Sequence, residues 1–283
     1  MYNYKVHESS IEILCVGYFD PKQIFTCGQC FRWYEQPDGS FTGIAHGKVL
    51  NVAKKGENVI LNNCTEEDYI NIWKNYFDLE RDYGKIKRSL SNDKILKTAV
   101  SYGSGIRILR QDFFEALISF IISANNNIPR IQGIINRFSE LFGERIIYNG
   151  KTFYSFPKPE ALRGIDESEL APIRCGYRAK YIVNTVNSFL NGEIDPESIA
   201  KMHVLEAQKA LCKVSGVGPK VADCILLFSF GRFDAFPTDV WVKRVMNELY
   251  GCEEKDARST GYRIFGENAG IAQQYLFYWR RAQ

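Results

Sequence analysis

A glycine-containing turn between two apolar segments constrains the fold of this chain more than any other feature. The turn is Ser-Gly-Val-Gly at 215–218, followed by a proline and Lys220. Apolar residues recur with helical spacing on both sides, which predicts two helices joined by a hairpin over residues 204–230. Glycine permits left-handed backbone angles and close approach, so such a hairpin can offer its N–H groups to a phosphate. The alternative is a plain joint between two helices with no ligand.

The composition is that of an ordinary globular protein. Of 283 residues, 45% are hydrophobic and 24% are charged, so the chain can form one large domain or a few small ones. No apolar run reaches the length of a membrane span, and the N-terminus lacks the pattern of a signal peptide. Eight cysteines are too few for a disulfide scaffold in a chain this long. We therefore expect a soluble, intracellular protein with free thiols and no membrane partner.

The first hundred residues show the alternating apolar and polar pattern of strands. Strands are predicted over residues 11–16, 31–34, 40–44, 48–53 and 58–62, with a turn signal at 36–40. Short strands separated by turns predict an antiparallel sheet. Thr65 precedes three acidic residues, which indicates a helix that Thr65 caps.

From about residue 105 the apolar spacing changes from two to about 3.6, which predicts helices. One helix ends at the run of asparagines 125–127, where Asn127 is predicted to cap the next helix, with Gly143 beyond its end. Further helices are predicted over residues 177–190, 204–213, 219–230, 240–250 and 269–281. The whole pattern predicts an α+β fold. An N-terminal antiparallel β-sheet domain with flanking helices (1–104) is expected to pack on a larger α-helical body (105–283).

Two ionisable residues near the hairpin form a candidate catalytic pair. Lys220 stands at the start of the second hairpin helix, and a neutral amine there can attack carbon. Asp239 follows nineteen residues later, and a carboxylate near a sugar can stabilise positive charge at the anomeric carbon. Together they suggest cleavage of a nucleoside's N-glycosidic bond beside a bound phosphate. The plainer interpretations are a phosphate-binding lysine and a helix N-cap.

Several motifs in a fixed order make the chain similar to a known family. They are Gly-Gln-Cys-Phe-Arg-Trp at 28–33, Leu-Arg-Gln-Asp at 109–112, Ser-Ala-Asn-Asn-Asn-Ile-Pro-Arg at 123–130, Gly-Tyr-Arg-Ala at 176–179, the lysine hairpin, Pro-Thr-Asp at 237–239 and Ala-Gln-Gln-Tyr-Leu-Phe at 272–277. With them the chain resembles the 8-oxoguanine DNA glycosylases of the helix–hairpin–helix superfamily, over most of its length. The resemblance implies a helix–hairpin–helix motif at about 204–230.

The resemblance implies a bifunctional DNA glycosylase and AP lyase acting on 8-oxoguanine in duplex DNA, preferably opposite cytosine. Lys220 would be the nucleophile that displaces the base and forms a Schiff base with the deoxyribose. Asp239 would be its electrostatic and proton-handling partner. Two alternatives stay open: a monofunctional alkylbase glycosylase that uses Asp239 and water, and a DNA-damage-binding protein without catalysis.

The resemblance also implies a pocket for the extruded base. The backbone carbonyl of Gly28 would accept the hydrogen on N7 of 8-oxoguanine, which ordinary guanine lacks. Gln273 would bond the Watson–Crick edge, while Phe277 and Cys224 would enclose the two faces of the base.

The remaining matching residues would contact DNA. Four would fill the emptied stack and contact the orphaned cytosine, and two would hold phosphates: Asn125, Arg130, Tyr177 and Arg178, and then Gly216 and Gly218. Without the resemblance, the first four are better interpreted as a helix cap, two surface arginines and a core tyrosine.

The sequence predicts no metal and no cofactor. Cys27 and Cys30 have the spacing of a metal-binding pair, but no second pair lies nearby, and structural zinc needs four ligands. After Cys224 the chain has only Cys252, which excludes the four-cysteine iron–sulfur cluster of related glycosylases. Trp241 stands where relatives often carry a phosphate-contacting histidine, so that contact is not implied. The expected partner is double-stranded DNA containing 8-oxoguanine, bound by a monomer in the cytoplasm or nucleoid, or in a nucleus, with no protein partner.

Overall fold

The computed structural model describes residues 2–283 and contains an antiparallel sheet in the N-terminal region. Its strands are β1 (Tyr4–Val6), β2 (Ser10–Ile13), β3 (Trp33–Glu35), β4 (Phe41–Ala45), β5 (Lys48–Lys55) and β6 (Asn58–Asn62). They lie in the order β1-β2-β6-β5-β4-β3, and all neighbours are antiparallel. The predicted sheet is confirmed. The strands predicted over 11–16 and 31–34 are shorter or shifted, and β1 was not predicted.

Alternation of buried and half-buried residues explains how the sheet forms its core. In the antiparallel pair β2–β6, Ile11 lies opposite Leu61 and Ile13 lies opposite Val59, and all four side chains are buried. Because side chains alternate between the faces of a strand, these four share one face. They pack in one apolar cluster with Trp73 from the helical segment behind the sheet.

The helices begin and end as follows: α1 (Pro21–Thr26), α2 (Glu66–Asp68), α3 (Lys74–Tyr76), α4 (Tyr83–Leu90), α5 (Lys94–Tyr102), α6 (Phe113–Ser123), α7 (Ile128–Phe142), α8 (Arg178–Leu190), α9 (Pro196–Lys201), α10 (Val204–Leu211), α11 (Pro219–Phe228), α12 (Val240–Tyr250), α13 (Ala257–Phe265) and α14 (Ala269–Arg281). A π-helical turn (Tyr69–Trp73) joins α2 to α3. The helices predicted over 240–250 and 269–281 have the observed bounds, and the other three agree to within two residues. Within residues 2–283, no helix combines the length and apolarity needed to cross a membrane.

Polar caps fix where the helices start. The side chain of Asn127 accepts the N–H of Arg130 at 3.0 Å, and that of Thr65 accepts the N–H of Asp68 at 3.1 Å. Each cap satisfies an N–H that has no partner inside the helix. Both predicted caps are confirmed.

A β-hairpin lies inside the region predicted to be helical. Its strands are β7 (Arg145–Tyr148) and β8 (Lys151–Tyr154). The connecting Asn149-Gly150 pair has positive φ angles of 47° and 71°. This is the two-residue turn that asparagine followed by glycine favours, so the sequence did carry a signal for it.

Near residue 104, the sheet region and the helical body each contribute side chains to the core of the other. Helix α5 packs against α14, so part of the N-terminal region belongs to the helical core. Conversely, Leu109 belongs to the core of the sheet. Arg107 is fully buried and donates to the carbonyl oxygens of Asp78 at 2.8 Å and Tyr18 at 3.1 Å. The division at residues 104 and 105 stays a prediction.

Candidate active site and DNA-binding surface

The hairpin between α10 and α11 has the backbone shape that its glycines predict. Gly216 has φ +81°, and a Cβ there would lie 2.7 Å from the ring of Tyr181, so a larger residue does not fit. Gly218 is exposed and extended, with open space where a Cβ would lie. Within residues 2–283, the N–H groups of Gly216 and Gly218 donate to no protein acceptor. The start of α11 adds its positive dipole end, so the turn can accept an anion.

Lys220, Cys224 and Asp239 form one cluster. Lys220 is the second residue of α11, is half-buried, and its Nζ lies 5.8 Å from the centre of the Phe120 ring. Burial raises the pKa of the Cys224 thiol to about 11, and the neighbouring Lys220, within hydrogen-bonding reach, opposes this rise. The Asp239 carboxylate is close enough to raise the pKa of the same thiol further. The amine and the carboxylate therefore both lie near one buried thiol.

Asp239 is held by the helix that it caps. Its Oδ1 accepts the N–H of Val242 at 2.8 Å, which confirms the N-cap interpretation. This bond uses only one carboxylate oxygen. A cavity of about 310 Å³ opens beside it, and Asp239, Phe277 and Trp241 are among its lining residues. A carboxylate that caps a helix and also borders a cavity can both stabilise the helix and take part in a reaction.

The loop that carries Gly28 is fixed by two glutamines that sequence reasoning did not single out. The buried Gln29 amide donates to the carbonyl oxygens of Ile24 at 2.9 Å and Arg107 at 2.8 Å, and accepts the N–H of Leu109 at 2.8 Å. Gln274 donates to the carbonyl oxygen of Cys27 at 2.5 Å. Gly28, with φ +85°, is thus held in a left-handed conformation between two anchored neighbours.

Gln273 and Phe277 lie one turn apart on α14 and face the same region. The Oε1 of Gln273 is buried and has no hydrogen-bond partner within residues 2–283. The ring of Phe277 lies against Gly28, because a Cβ on that glycine would be 3.4 Å from Cε1 of the ring. The structure therefore brings Gly28 and Phe277 into contact, and an unpaired amide oxygen lies on the same helix.

Asn125, Arg130 and Tyr177 are all exposed. Asn125 has φ +49° and lies two residues before Asn127, which caps α7, so the interpretation of Asn125 as the cap is wrong. Tyr177 is 58% exposed, so the interpretation as a core tyrosine is also wrong. Arg130 is a surface arginine, as the plain interpretation has it. Three predicted DNA contacts are thus free to meet a ligand.

Arg178 differs from a surface arginine. It is 2% exposed, because its guanidinium reaches under the loop between α6 and α7. It donates to the carbonyl oxygens of Ala124 at 3.2 Å, Asn125 at 3.2 Å and Cys175 at 3.3 Å. Its Cζ also lies 4.5 Å from the centre of the Tyr177 ring. In this structure Arg178 holds the loop that presents Asn125.

Two family models together match residues 13–267. The first is the 8-oxoguanine DNA glycosylase N-terminal domain over residues 13–117, and the second is the HhH-GPD superfamily base excision DNA repair protein over residues 118–267. The chain belongs to the 8-oxoguanine DNA glycosylase family. The sheet followed by a helical body with a hairpin is the fold of that family.

Relatives of this glycosylase-family chain occur in several kinds of organism. It is 36% identical to a probable N-glycosylase/DNA lyase of Methanothermobacter thermautotrophicus, over 71% of the chain and 70% of the relative. It is 30% identical to the N-glycosylase/DNA lyase OGG1 of Arabidopsis thaliana, over 89% and 75%. Among solved structures it is similar to the Clostridium acetobutylicum 8-oxoguanine glycosylase/lyase in complex with double-stranded DNA containing cytosine opposite 8-oxoguanine. That match has 47% identity and a TM-score of 0.95, over 100% of the chain and 98% of the other.

A buried polar network behind Lys220 was missed at the sequence level. Asp223 is fully buried on α11, and its Oδ1 accepts from Arg258 at 2.9 Å and Gln208 at 2.8 Å. Burial raises the pKa of this carboxyl to about 8, and the Arg258 guanidinium opposes the rise. Gln208 also donates to the carbonyl oxygen of Pro219 at 3.3 Å. The network joins α10, α11 and α13, and an acidic residue inside an otherwise apolar run was its only sequence signal.

Cys27 and Cys30 are both buried thiols. Burial raises the pKa of Cys27 to about 12 and that of Cys30 well above its usual value, which disfavours the thiolate that binds metals. In the part of the chain that the structure describes, no group of three or more His, Cys, Asp or Glu residues could hold a metal ion.

Proposed function

We propose that this protein is a bifunctional DNA glycosylase and AP lyase that excises 8-oxoguanine from duplex DNA in base excision repair. Membership of the family and the similarity to glycosylase/lyases, one of them bound to DNA with cytosine opposite 8-oxoguanine, support it. The observation that carries the proposal is the cluster of Lys220, Cys224 and Asp239 beside an anion-accepting hairpin. A glycosylase that uses only water needs no amine at this place, whereas a lyase does.

The duplex is held and opened by exposed groups around the cluster. The N–H groups of Gly216 and Gly218 bind a backbone phosphate next to the start of α11. Asn125 and Tyr177 fill the space that the extruded base leaves. A guanidinium donates to the O2 and N3 acceptors of cytosine, which assigns Arg130 to the orphaned base and predicts a preference for cytosine.

Arg178 reaches the same cytosine only by leaving the loop. Its donors are engaged with the carbonyl oxygens of Ala124, Asn125 and Cys175. Cytosine offers the guanidinium acceptors of the same kind, so the exchange replaces some hydrogen bonds with others. Contact between Arg178 and cytosine therefore requires the loop of Asn125 to rearrange when DNA binds.

The lesion base is recognised in a pocket at Gly28. The carbonyl oxygen of Gly28 accepts the N7 hydrogen of 8-oxoguanine, and ordinary guanine offers an acceptor at that position instead. The amide of Gln273 bonds the Watson–Crick edge, and the unpaired Oε1 is an acceptor available for this. Phe277 and Cys224 enclose the faces of the base, since an aromatic ring and an apolar thiol can both pack on it.

The chemistry begins when the Lys220 amine attacks C1′ of the lesion nucleotide. A C–N bond forms as the bond from C1′ to the base breaks, and the base leaves with the electron pair and takes up a proton. Opening of the sugar ring then gives an imine, with a proton delivered to O4′. Asp239 stabilises the positive charge at C1′ and handles this proton. Loss of a proton from C2′ breaks the bond between C3′ and its phosphate oxygen, which cleaves the strand by β-elimination and leaves the imine to be hydrolysed.

An amine and a carboxylate supply every group that these steps need, so the proposed reaction requires no cofactor. The proposed enzyme acts as a monomer. DNA as substrate places the reaction in the compartment that holds the genome, which is the nucleoid of a prokaryote or the nucleus of a eukaryote.

The proposal is tested with a duplex that carries one 8-oxoguanine opposite cytosine. We expect purified protein alone, in the presence of EDTA, to release the free base and to cleave the strand at that site. Release of 3-methyladenine from an alkylated duplex without strand cleavage would instead identify a monofunctional alkylbase glycosylase. An intact lesion strand after prolonged incubation with excess protein would identify a protein that only binds damage.

A further inference from the structure

An exposed tryptophan stands beside the proposed catalytic carboxylate without a role in the reaction described above. Trp241 is 53% exposed and Val240 is 60% exposed, both on the first turn of α12, which Asp239 caps. By contrast, Trp33 and Trp73 are buried in the core. An indole left in water keeps a large apolar area unburied, and binding of a flat apolar partner would cover it.

Trp241 belongs to the apolar wall of the cavity beside Asp239. Phe277 and Leu276 from α14 and Val245 from α12 line the same cavity. The cavity is thus open to solvent at an exposed indole and extends to the aromatic ring that lies against Gly28.

The charged groups at this cavity are mainly basic. Arg280 and Arg281 line it together with the single carboxylate of Asp239. Asp239 already accepts the N–H of Val242, and Arg280 is paired with Glu248 at 2.7 Å, whereas Arg281 is exposed at the end of α14. An aromatic wall beside arginines is the chemistry that binds a nucleotide, with its base on the ring and its phosphate near the cation.

We propose that Trp241 stacks on the base of the nucleotide next to the lesion in the same strand. This rests on the proposed function, in which Asp239 lies at C1′ of the lesion nucleotide. Trp241 is two residues further along the first helical turn and lines the same cavity as Asp239, so its ring is within reach of the neighbouring nucleotide. The lesion base itself is enclosed by Phe277 and Cys224, which leaves the indole for the base that follows or precedes it.

Stacking rather than phosphate binding follows from the chemistry of the side chain. Indole carries no charge and has one N–H donor, so it is a poor partner for a phosphate. Every base has a π-face, so the contact is indifferent to sequence. Trp241 therefore strengthens binding at the lesion without adding a charge, and its removal leaves the salt dependence of binding unchanged.

The test measures equilibrium binding without turnover, in protein that carries Lys220→Gln. The probe is a duplex with one 8-oxoguanine opposite cytosine, and the variants add W241A, W241L, W241F or V240A. Loss of a stacked base weakens binding on the order of tenfold, so we expect this loss for W241A and W241L and near-parent binding for W241F. V240A is the matched control, because Val240 is an equally exposed neighbour on the same turn that does not line the cavity.

A second duplex series locates the contact. An abasic tetrahydrofuran replaces the nucleotide on one side of the lesion or on the other. One of the two replacements should weaken the parent about tenfold and should weaken W241A no further, since the stacking partner is already absent. The proposal would be overturned if W241A bound more weakly than the parent by the same factor on both abasic duplexes, because Trp241 would then act on something other than a flanking base.

Other outcomes separate this inference from the function on which it rests. Equal affinity of the parent and W241A for the lesion duplex overturns the stacking role alone. Equal affinity of the parent for lesion-containing and undamaged duplex overturns the proposed function, and this inference with it. Equal losses of affinity for W241L, W241F and W241A would show that binding depends on the shape of the indole or on its N–H, which also contradicts stacking.

Discussion

Replacing Arg178 with methionine tests whether this residue holds the loop of Asn125. Methionine keeps an apolar stem in the buried site and removes all guanidinium donors. The wild-type guanidinium donates to three carbonyl oxygens. Once the guanidinium is removed, water can readily hydrate only the carbonyl oxygen of Asn125, which is exposed. Two acceptors, that of the half-buried Ala124 and that of the buried Cys175, are then left poorly paired.

The structure sets the size of the expected loss. A hydrogen bond from a charged donor contributes about 1.5–3 kcal/mol, so two of them give a loss of about 3 kcal/mol. Unfolding entropy near 60 °C is about 2.1 cal/mol/K per residue, which is about 0.6 kcal/mol/K for this chain. R178M is therefore expected to lower Tm by about 5 °C.

The assay is thermal unfolding followed by circular dichroism, with R130M as the matched control. Arg130 is exposed and contributes only its backbone N–H to the cap of α7, so R130M should leave Tm unchanged. A Tm for R178M within 1 °C of wild type would refute the loop-holding role. An equal fall in both variants would show that charge at this surface, rather than the buried bonds, sets stability.

Three other variants test separate parts of the structure. D223N should remove a pH dependence: burial raises the pKa of Asp223 from 3.8 to about 8, so its contribution to stability is full below about pH 4 and is lost as the pH rises to about 8. Urea unfolding at pH 5 and pH 8 should therefore show a smaller loss of stability for D223N than for wild type, and equal losses would contradict the assignment. G28A places a Cβ at φ +85°, which costs about 1–2 kcal/mol, and should lower Tm by about 2–3 °C and reduce discrimination between 8-oxoguanine and guanine; unchanged discrimination would argue against the role of the Gly28 carbonyl. R130M should lower the ratio of single-turnover excision rates opposite cytosine and adenine, and equal wild-type rates against all four bases would refute the preference itself.

Elements with a strong local signal could be predicted from the sequence. Regular helical spacing marks two segments, residues 240–250 and 269–281, and Asp239 caps the first of them. The predicted bounds of both helices therefore equal the observed bounds. The strand over 58–62 was predicted with equal accuracy because a short apolar run is bounded by asparagine on both sides. The hairpin of β7 and β8 was missed because an Asn-Gly turn was outweighed by the helices around it.

Long-range contacts at the site could not be predicted in this way. Nothing local indicates that Arg178 is buried, because its acceptors Ala124 and Asn125 lie more than fifty residues earlier in the chain. Gln29 was part of a motif, yet its structural role depends on residues 107 and 109. The grouping of Lys220 with Asp239 followed from the chemistry of the two residues, whereas Gly28 and Gln273 were reached only through resemblance to a family.

The central claim is that the Lys220 amine forms a covalent bond with the sugar of the lesion nucleotide. Borohydride reduces an imine to a stable amine, so it should trap the wild-type protein on a duplex containing 8-oxoguanine opposite cytosine. Lys220→Gln should abolish this adduct while still binding the lesion duplex. An adduct of equal yield in Lys220→Gln would contradict the account, because another amine would then be the nucleophile.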